Sequence, residues 1–234
     1  MNELIRQYWQ QYLWGAPGHP MGLVITLWLT VASVGLGFFL AVPLAVAKAS
    51  TNRWLSVPVS IYTYVIRGTP LYVQLLLLYS GVYSLDAVRA TPFLNTFFRD
   101  AFNCTILAFT LNTAAYTTEI FAGAIKATPH GEIEAARAYG MSNFVLYRCI
   151  ILPGALRRAL PAYSNEVILM LHATTLAATA TVPDLLKVAR NASSEYYLPF
   201  VAYGSAALLY LCVSFALIWL FQKAERRWLA FLGR

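Results

Sequence analysis

Glu119 lies within an apolar run at residues 101–125, and it is the only acid well inside any such run of this 234-residue chain. A charged side chain at a bilayer centre costs about 2.5–3.5 kcal/mol to insert and is usually retained for a function. Asn112, Tyr116 and Glu119 follow i, i+4, i+7 and share one helical face, with Thr105 extending the stripe. A carboxylate placed there can balance a bound cation or tie two helices together. Arg67 enters a neighbouring apolar run from the same end, so an Arg67–Glu119 pair and direct contact with a cationic ligand both stay open. His172, Thr175 and Thr179, at i, i+3, i+7, make a second polar stripe suited to hydrogen bonds between helices. Glu166, beside Asn165 near the start of its run, reads as a capping or gate residue. The three histidines and three cysteines are scattered. They show neither metal-ligand spacing nor a disulfide framework. No nucleophile–base pair stands out, so an intramembrane enzyme has no support.

The elements that must position these residues are membrane helices. The chain is 59% hydrophobic and 12% charged, against about a quarter charged in a soluble domain. Spans are expected at 21–47, 71–85, 101–125, 161–182 and 198–221, each near the ~20 residues a bilayer core requires. Helices are the only sensible element there, because backbone groups in lipid must bond within their own segment. Residues 54–66 read as an interfacial or elbow helix, cut from the second span at Thr69-Pro70. Proline lacks the donor, and the residue before it is pushed out of helical geometry. No cleavable leader is expected at the N-terminus.

Before the first span, residues 2–14 are amphipathic. Leu4, Ile5, Tyr8, Trp9, Tyr12 and Leu13 share one face, which suits a helix on the outer leaflet or against a partner. The stretch 15–20, rich in Gly and Pro, breaks it. The chain is thus one domain, with 1–20 an interfacial helix and linker and 126–160 a polar loop between spans three and four.

Net charge is +7. Five spans would place Arg6, Arg89, Arg99, Lys187 and Arg190 on one side, and the other twelve of the 17 Lys and Arg, Arg234 included, on the opposite side. The richer side is cytoplasmic. The N-terminus is therefore expected outside and the C-terminus inside. This asymmetry accounts for the basic balance, and nucleic acid is not an expected partner.

The polar loop at 126–160 is built to fold. Thr128 suits an N-cap and Pro129 a first helical position. Glu132 and Glu134 lie near the helix start and Arg137 near its end, matching the macrodipole. Gly140 can adopt the left-handed cap. Ser142 can start a second helix over 143–151, which Pro153 is expected to end. Ala135, Ala136 and Gly140 leave little bulk at the turn, so another protein can approach closely. A solvated connection would explain the charges but not those small residues.

Glu134-Ala135-Ala136, three residues, Gly140, nine residues, then Ile150-Ile151-Leu152-Pro153 resembles the signature of ABC-importer permease subunits, E-A-A-x3-G-x9-I-x-L-P. Arg67-Gly68-Thr69-Pro70-Leu71 with Gln74, and the stretch 111–125, resemble elements of the polar amino-acid permeases in that family. The likeness runs along nearly the whole chain. It implies a type I importer fold, all-α, with five transmembrane helices. It also implies that the 126–160 loop is a coupling helix docking on a cytoplasmic ATPase. Glu134, Ala135, Ala136 and Arg137 would form the contact face, Gly140 the close-approach point, and Leu152 and Pro153 the end of the motif. The implied partners are a homologous permease chain, two ABC ATPase subunits, a periplasmic amino-acid-binding protein and the lipid of a bacterial inner membrane. No cofactor is expected on this chain. It has no G-x-x-x-x-G-K-[ST], so ATP and Mg belong on the partner ATPase.

The implied cargo is a basic amino acid of the histidine, arginine, lysine and ornithine class, with Asn112, Tyr116, Glu119, His172, Thr175 and Arg67 as pathway candidates. Relatives often carry K-D-T-S-L where this chain has His172-Ala173-Thr174-Thr175-Leu176; the aspartate of that pattern is missing, and the companion permease is expected to hold most of the substrate site. The short outer loops at 86–100 and 184–197 could touch the receptor through Asp86, Arg89, Asp184, Lys187 or Arg190. A proton-coupled secondary transporter is the alternative, with Glu119 and His172 titrating. That alternative calls for matched broken spans in two halves, and the sequence offers only the break at 67–70.

Overall fold

The computed structural model describes residues 2–16 and 18–228. Pro17 of the expected break, Arg234 of the charge count and the side chain of Ile5 lie outside what is described. The described residues form helices and one two-stranded hairpin. An N-terminal helix α1 (Asn2–Leu13) leads through the hairpin, β1 (Gly15–Ala16) against β2 (His19–Pro20), into α2 (Leu23–Ala49). Then come α3 (Arg53–Gly68) and α4 (Leu71–Leu76), extended by irregular turns to Ser84. Two short helices, α5 (Asp86–Ala90) and α6 (Pro92–Arg99), precede α7 (Ala101–Lys126).

The second half holds α8 (His130–Ala138), α9 (Asn143–Leu146), α10 (Leu152–Ala173), α11 (Leu185–Tyr196) and α12 (Pro199–Trp228). By length and apolarity, α2 and α12 each suffice to cross a membrane; α3 and the helical stretch 71–84 reach that length only when counted together, and they are bent by 101°. The 26-residue α7 is long enough but buries Asn112, Thr113, Thr117 and Thr118.

The most extensive helix pair is α2 with α7. Small residues set it. A Cβ added at Gly37 would meet Thr113 Cγ2 at 2.4 Å, so only glycine lets the backbones come this close. Ala41 and Ala45 of α2, with Ala122 of α7 and Ala155 and Ala159 of α10, pack round Phe121 and Ile125 at the α8 end of the molecule. A second cluster, with Leu29, Leu75, Phe109 and Met170, fills the middle.

The expected elbow is present. Thr69 is extended (φ −115, ψ 143), and α3 meets the helical stretch 71–84 at 101°. Trp54, Ile61, Tyr64 and Val65 stay exposed on α3, the apolar outer face that an interfacial helix needs.

Three expectations change. Pro153 does not end a helix. Residues 143–173 run on through a π-turn at Tyr147–Ile151, where the Leu152 N–H reaches the Tyr147 carbonyl. The widened turn carries the chain past a proline that would otherwise clash with the carbonyl four residues back. Thr128 does not cap α8. The flanking residue is Pro129, and the Thr128 hydroxyl accepts instead from Arg158 Nη2 at 2.7 Å. Nor does α1 lie free on the bilayer. Leu4, Tyr8 and Tyr12, at i, i+4, i+8, are buried against Leu185, Val188 and Ala192 of α11 and Ala202 of α12. The Tyr12 hydroxyl donates to the Ala202 carbonyl at 2.9 Å, leaving Trp9 and Trp14 outward.

Candidate functional site

Two places combine polar chemistry with exact support from the fold. The first is the elbow after α7. The α8 helix ends in a paired turn: the Gly140 N–H bonds to the Arg137 carbonyl at 2.9 Å and the Met141 N–H to the Ala136 carbonyl at 3.2 Å. This is the Schellman arrangement, and it requires the positive φ of 75° that Gly140 adopts. Ser142 accepts from the Val145 N–H and starts the next helix. Glu134, Ala135 and Arg137 face solvent, as does Gly140, with open space where its Cβ would be. Ala136 does not. It is 3% exposed and packs with Leu146 and Ile151, so the small residue serves the chain's own fold. Leu152 and Pro153 lie within the helical run to α10 and are half-buried.

Sequence reasoning missed two residues here. Tyr139, 87% exposed, stands beside Gly140. Arg158 donates to Thr128 Oγ1 and to the Ala124 carbonyl at 3.3 Å, fastening the elbow to α7 and α10. Only the spatial meeting of three elements reveals Arg158.

The second place is the polar layer where α2, α3, α4, α7 and α10 meet. Glu119 Oε1 lies 2.6 Å from Lys48 Nζ and 3.4 Å from Arg67 Nη1, so the Arg67–Glu119 pair is present but Lys48 is the nearer partner. Lys48 also donates to Thr63 Oγ1 at 2.8 Å. The Arg67 guanidinium lies over the Tyr116 ring, 5.1 Å from its centroid. Gln74 bridges the break: Nε2 donates to the Ile66 carbonyl at 2.7 Å and the Thr69 carbonyl at 3.0 Å, while Oε1 accepts from Asn112 at 3.1 Å. It thus satisfies carbonyls that the proline leaves without donors.

Next to this layer, a cavity of about 200 Å³ is lined by Asn112, Tyr116, Glu166, Leu169, Met170 and Ala173. Glu166 is buried beside the Thr113 hydroxyl. The carboxylate at the cavity is therefore Glu166, while Glu119 is held by two cations. The second stripe points elsewhere. His172 Nε2 is 3.0 Å from Ser214 Oγ of α12, and Thr175 and Thr179 bond back to the His172 and Leu176 carbonyls. These threonines sit at the entry to and within a 3₁₀ stretch, Thr174–Ala180.

On the opposite end of the molecule, Asp184 is fully buried as the cap of α11, accepting from the Lys187 N–H at 2.8 Å. Burial pushes its carboxyl up to about 7, against the opposing pull of the α11 N–H groups and Arg190. An outer-surface contact through Asp184 is therefore excluded in this conformation.

Residues 21–229 match the family described as "Binding-protein-dependent transport system inner membrane component". The chain is 62% identical over 229 residues to a histidine/lysine/arginine/ornithine transport system permease protein, HisM, of Salmonella typhimurium (strain LT2), covering 98% of this chain and 97% of that protein. It is 61% identical over 229 residues to the HisM of Escherichia coli (strain K12), with 98% and 96% covered. A crystal structure described as an amino acid ABC transporter with histidines superposes with a TM-score of 0.76 at 33% identity, over 88% of this chain and 92% of the other. The proton-coupled alternative finds no support among these relatives.

Proposed function

Because the chain belongs to the family of binding-protein-dependent transport system inner membrane components, we propose that it is the permease subunit of an ATP-driven importer of basic L-amino acids. The cargo class, histidine, lysine, arginine and ornithine, is the one its relatives are named for. In this reading the spans are five: α2, α4 with its extension to Ser84, α7, α10 with its 3₁₀ extension, and α12, with α3 the interfacial elbow before the second. The N-terminus faces the periplasm and the C-terminus the cytoplasm, following the Lys and Arg asymmetry. A homologous permease chain, two ATPase subunits and a periplasmic binding protein complete the machine. ATP and Mg reside on the ATPases.

The observation that carries the reading is the glycine-capped elbow. It presents Glu134, Ala135, Arg137, Tyr139 and Gly140 outward on a rigid turn tied by Arg158 to α7 and α10. A motor gripping this elbow would move the two helices that flank the polar cavity. Two packed arrangements of those helices, with different affinity for the closed ATPases, give alternating access. Asn112, Tyr116 and Glu166 form one wall of the pathway. A cavity of about 200 Å³ is below the ~300–1,000 Å³ of a ligand pocket, so the companion permease is expected to supply the facing wall. Lys48, Arg67 and Glu119 form a structural latch below it.

The test is at Gly140. An added Cβ meets nothing within 4 Å in this chain, so Gly140→Ala should cost only the backbone strain of a left-handed alanine, about 1–2 kcal/mol. Gly140→Trp should leave the permease assembled in the membrane yet uncouple ATP hydrolysis from uptake, lowering uptake at least tenfold. A Gly140→Trp transporter with native uptake and native ATPase stimulation would remove the coupling role. Crosslinks from Ala135→Cys to a nucleotide-binding subunit are the direct check.

A further inference from the structure

The α12 helix has two faces. One packs on the rest of the chain: Ala202 and Ala206 are buried, Ser214 meets His172, the Phe221 ring lies 6.5 Å from Tyr163, and Glu225 accepts from Ser164 at 3.3 Å. The other carries Leu208, Leu211, Phe215 and Trp219, between 49% and 64% exposed, at helical spacing. This apolar ridge runs directly into a notch of about 160 Å³ lined by Trp219, Gln222, Lys223 and Arg226.

No acid lines the notch, and the nearest on the helix, Glu225, is turned to α10 and bonded there. Lys223 Nζ stands 5.1 Å from the Trp219 ring centroid, which fixes the ammonium at the level of an amphipathic side chain that favours the headgroup region. From Leu208 to Lys223 the helix rises about 22 Å at 1.5 Å per residue. That is half of a ~40–45 Å bilayer with its headgroups.

A ridge one leaflet long that ends in two cations with no acid beside them among the described residues complements one kind of molecule. We propose that this face binds an anionic phospholipid, its phosphate on Lys223 and Arg226, its glycerol edge on Gln222 and Trp219, and an acyl chain along Phe215 to Leu208. The inner-leaflet assignment rests on the orientation given above; the headgroup preference does not. Each basic side chain near an anionic surface strengthens binding about fivefold, so two should favour an anionic over a zwitterionic lipid by up to about 25-fold.

The intact transporter in phosphatidylcholine vesicles containing dibrominated phosphatidylglycerol or dibrominated phosphatidylcholine tests this, because bromine quenches a neighbouring indole. The Trp219 share of the emission is the difference from the Trp219→Phe complex. Half-loss of that share is expected at up to about 25-fold lower mole fraction of the glycerol lipid, and Lys223→Gln with Arg226→Gln should erase the gap. On the native complex, high salt should raise the half-point for phosphatidylglycerol and leave that for phosphatidylcholine unmoved, a readout that survives if the double variant fails to assemble. Equal half-points would overturn headgroup recognition, and no quenching by either lipid would show protein on this face. Sidedness is read separately by an impermeant maleimide on Arg227→Cys, with Cys149 and Cys212 replaced by Ser. Labelling of intact cells would overturn the inner-leaflet placement alone.

Discussion

Replacing Glu119 by Gln removes one charge from a three-group latch, and the structure says which partner suffers. The Lys48 side chain is 13% exposed, whereas that of Arg67 is 42% exposed. At an effective dielectric of about 20, the gross attraction across the 2.6 Å Lys48–Glu119 contact is about 6 kcal/mol, and desolvation of both groups takes back most of it. Arg67 can swing to water, so its 3.4 Å contact adds little net stability. Without the carboxylate, Lys48 keeps only Thr63 as an acceptor in a covered site. Removing one partner of a buried pair costs about 3–5 kcal/mol, and the 29% exposure of Glu119 scales this to roughly 2–3 kcal/mol.

For a chain of this size that is a fall of roughly 4–12 °C in Tm, measured on the detergent-solubilised complex by a thiol-independent dye or by tryptophan emission. Lys48→Met with Glu119→Leu removes both charges and should cost less than either change alone. A double variant whose loss equals the sum of the singles would refute the latch. Uptake separates the second role: a Glu119→Gln complex that assembles and transports basic amino acids normally takes no substrate contact from Glu119.

Three further outcomes follow from particular contacts. Gly37→Ala drives a Cβ to 2.4 Å from Thr113 Cγ2, so it should destabilise the α2–α7 pair by about 1–3 kcal/mol; adding Thr113→Ser should recover part of the lost Tm. Gln74→Leu leaves the Ile66 and Thr69 carbonyls and Asn112 without their shared partner, a cost of about 1–3 kcal/mol, read as increased proteolysis at the α3–α4 elbow. Asp184 binds its proton more tightly folded, about 7, than unfolded, 3.8. Its favourable share of stability is complete below pH 3.8 and is lost as pH rises through 7, at most about 4 kcal/mol. The Tm of the complex should therefore fall across that window. Asp184→Asn, which can still cap α11, should flatten the fall, and an unchanged slope would refute the assignment.

The membrane class, the elbow at Pro70 and the glycine turn at Gly140 are legible in the sequence, because each follows from local chemistry. A proline removes a donor and constrains the residue before it, a left-handed cap favours glycine, and apolar runs declare their solvent. The paired cations of Glu119 are half legible. The Arg67 partner could be argued from the end at which it enters, but Lys48 sits 71 residues away in sequence and only the packing of α2 on α7 brings it near.

Local rules also misled at three places. Pro153 is a terminator by propensity, yet a π-turn carries the helix past it. Ala136 belongs to the small-residue stretch at the bend, yet it faces inward because α8 needs a buried edge against Leu146 and Ile151. Asp184 and Lys187 share a loop by sequence, but the α11 cap turns the aspartate into the interior.

By itself, then, the chain determined its solvent, its handed turns and its polar elbow, since those depend on side chains a few residues apart. Tertiary structure alone decided which carboxylate is neutralised by cations and which faces the cavity. Glu119 and Glu166 lie on different helices, and their roles are set by what α2 and α3 place beside one and leave open beside the other.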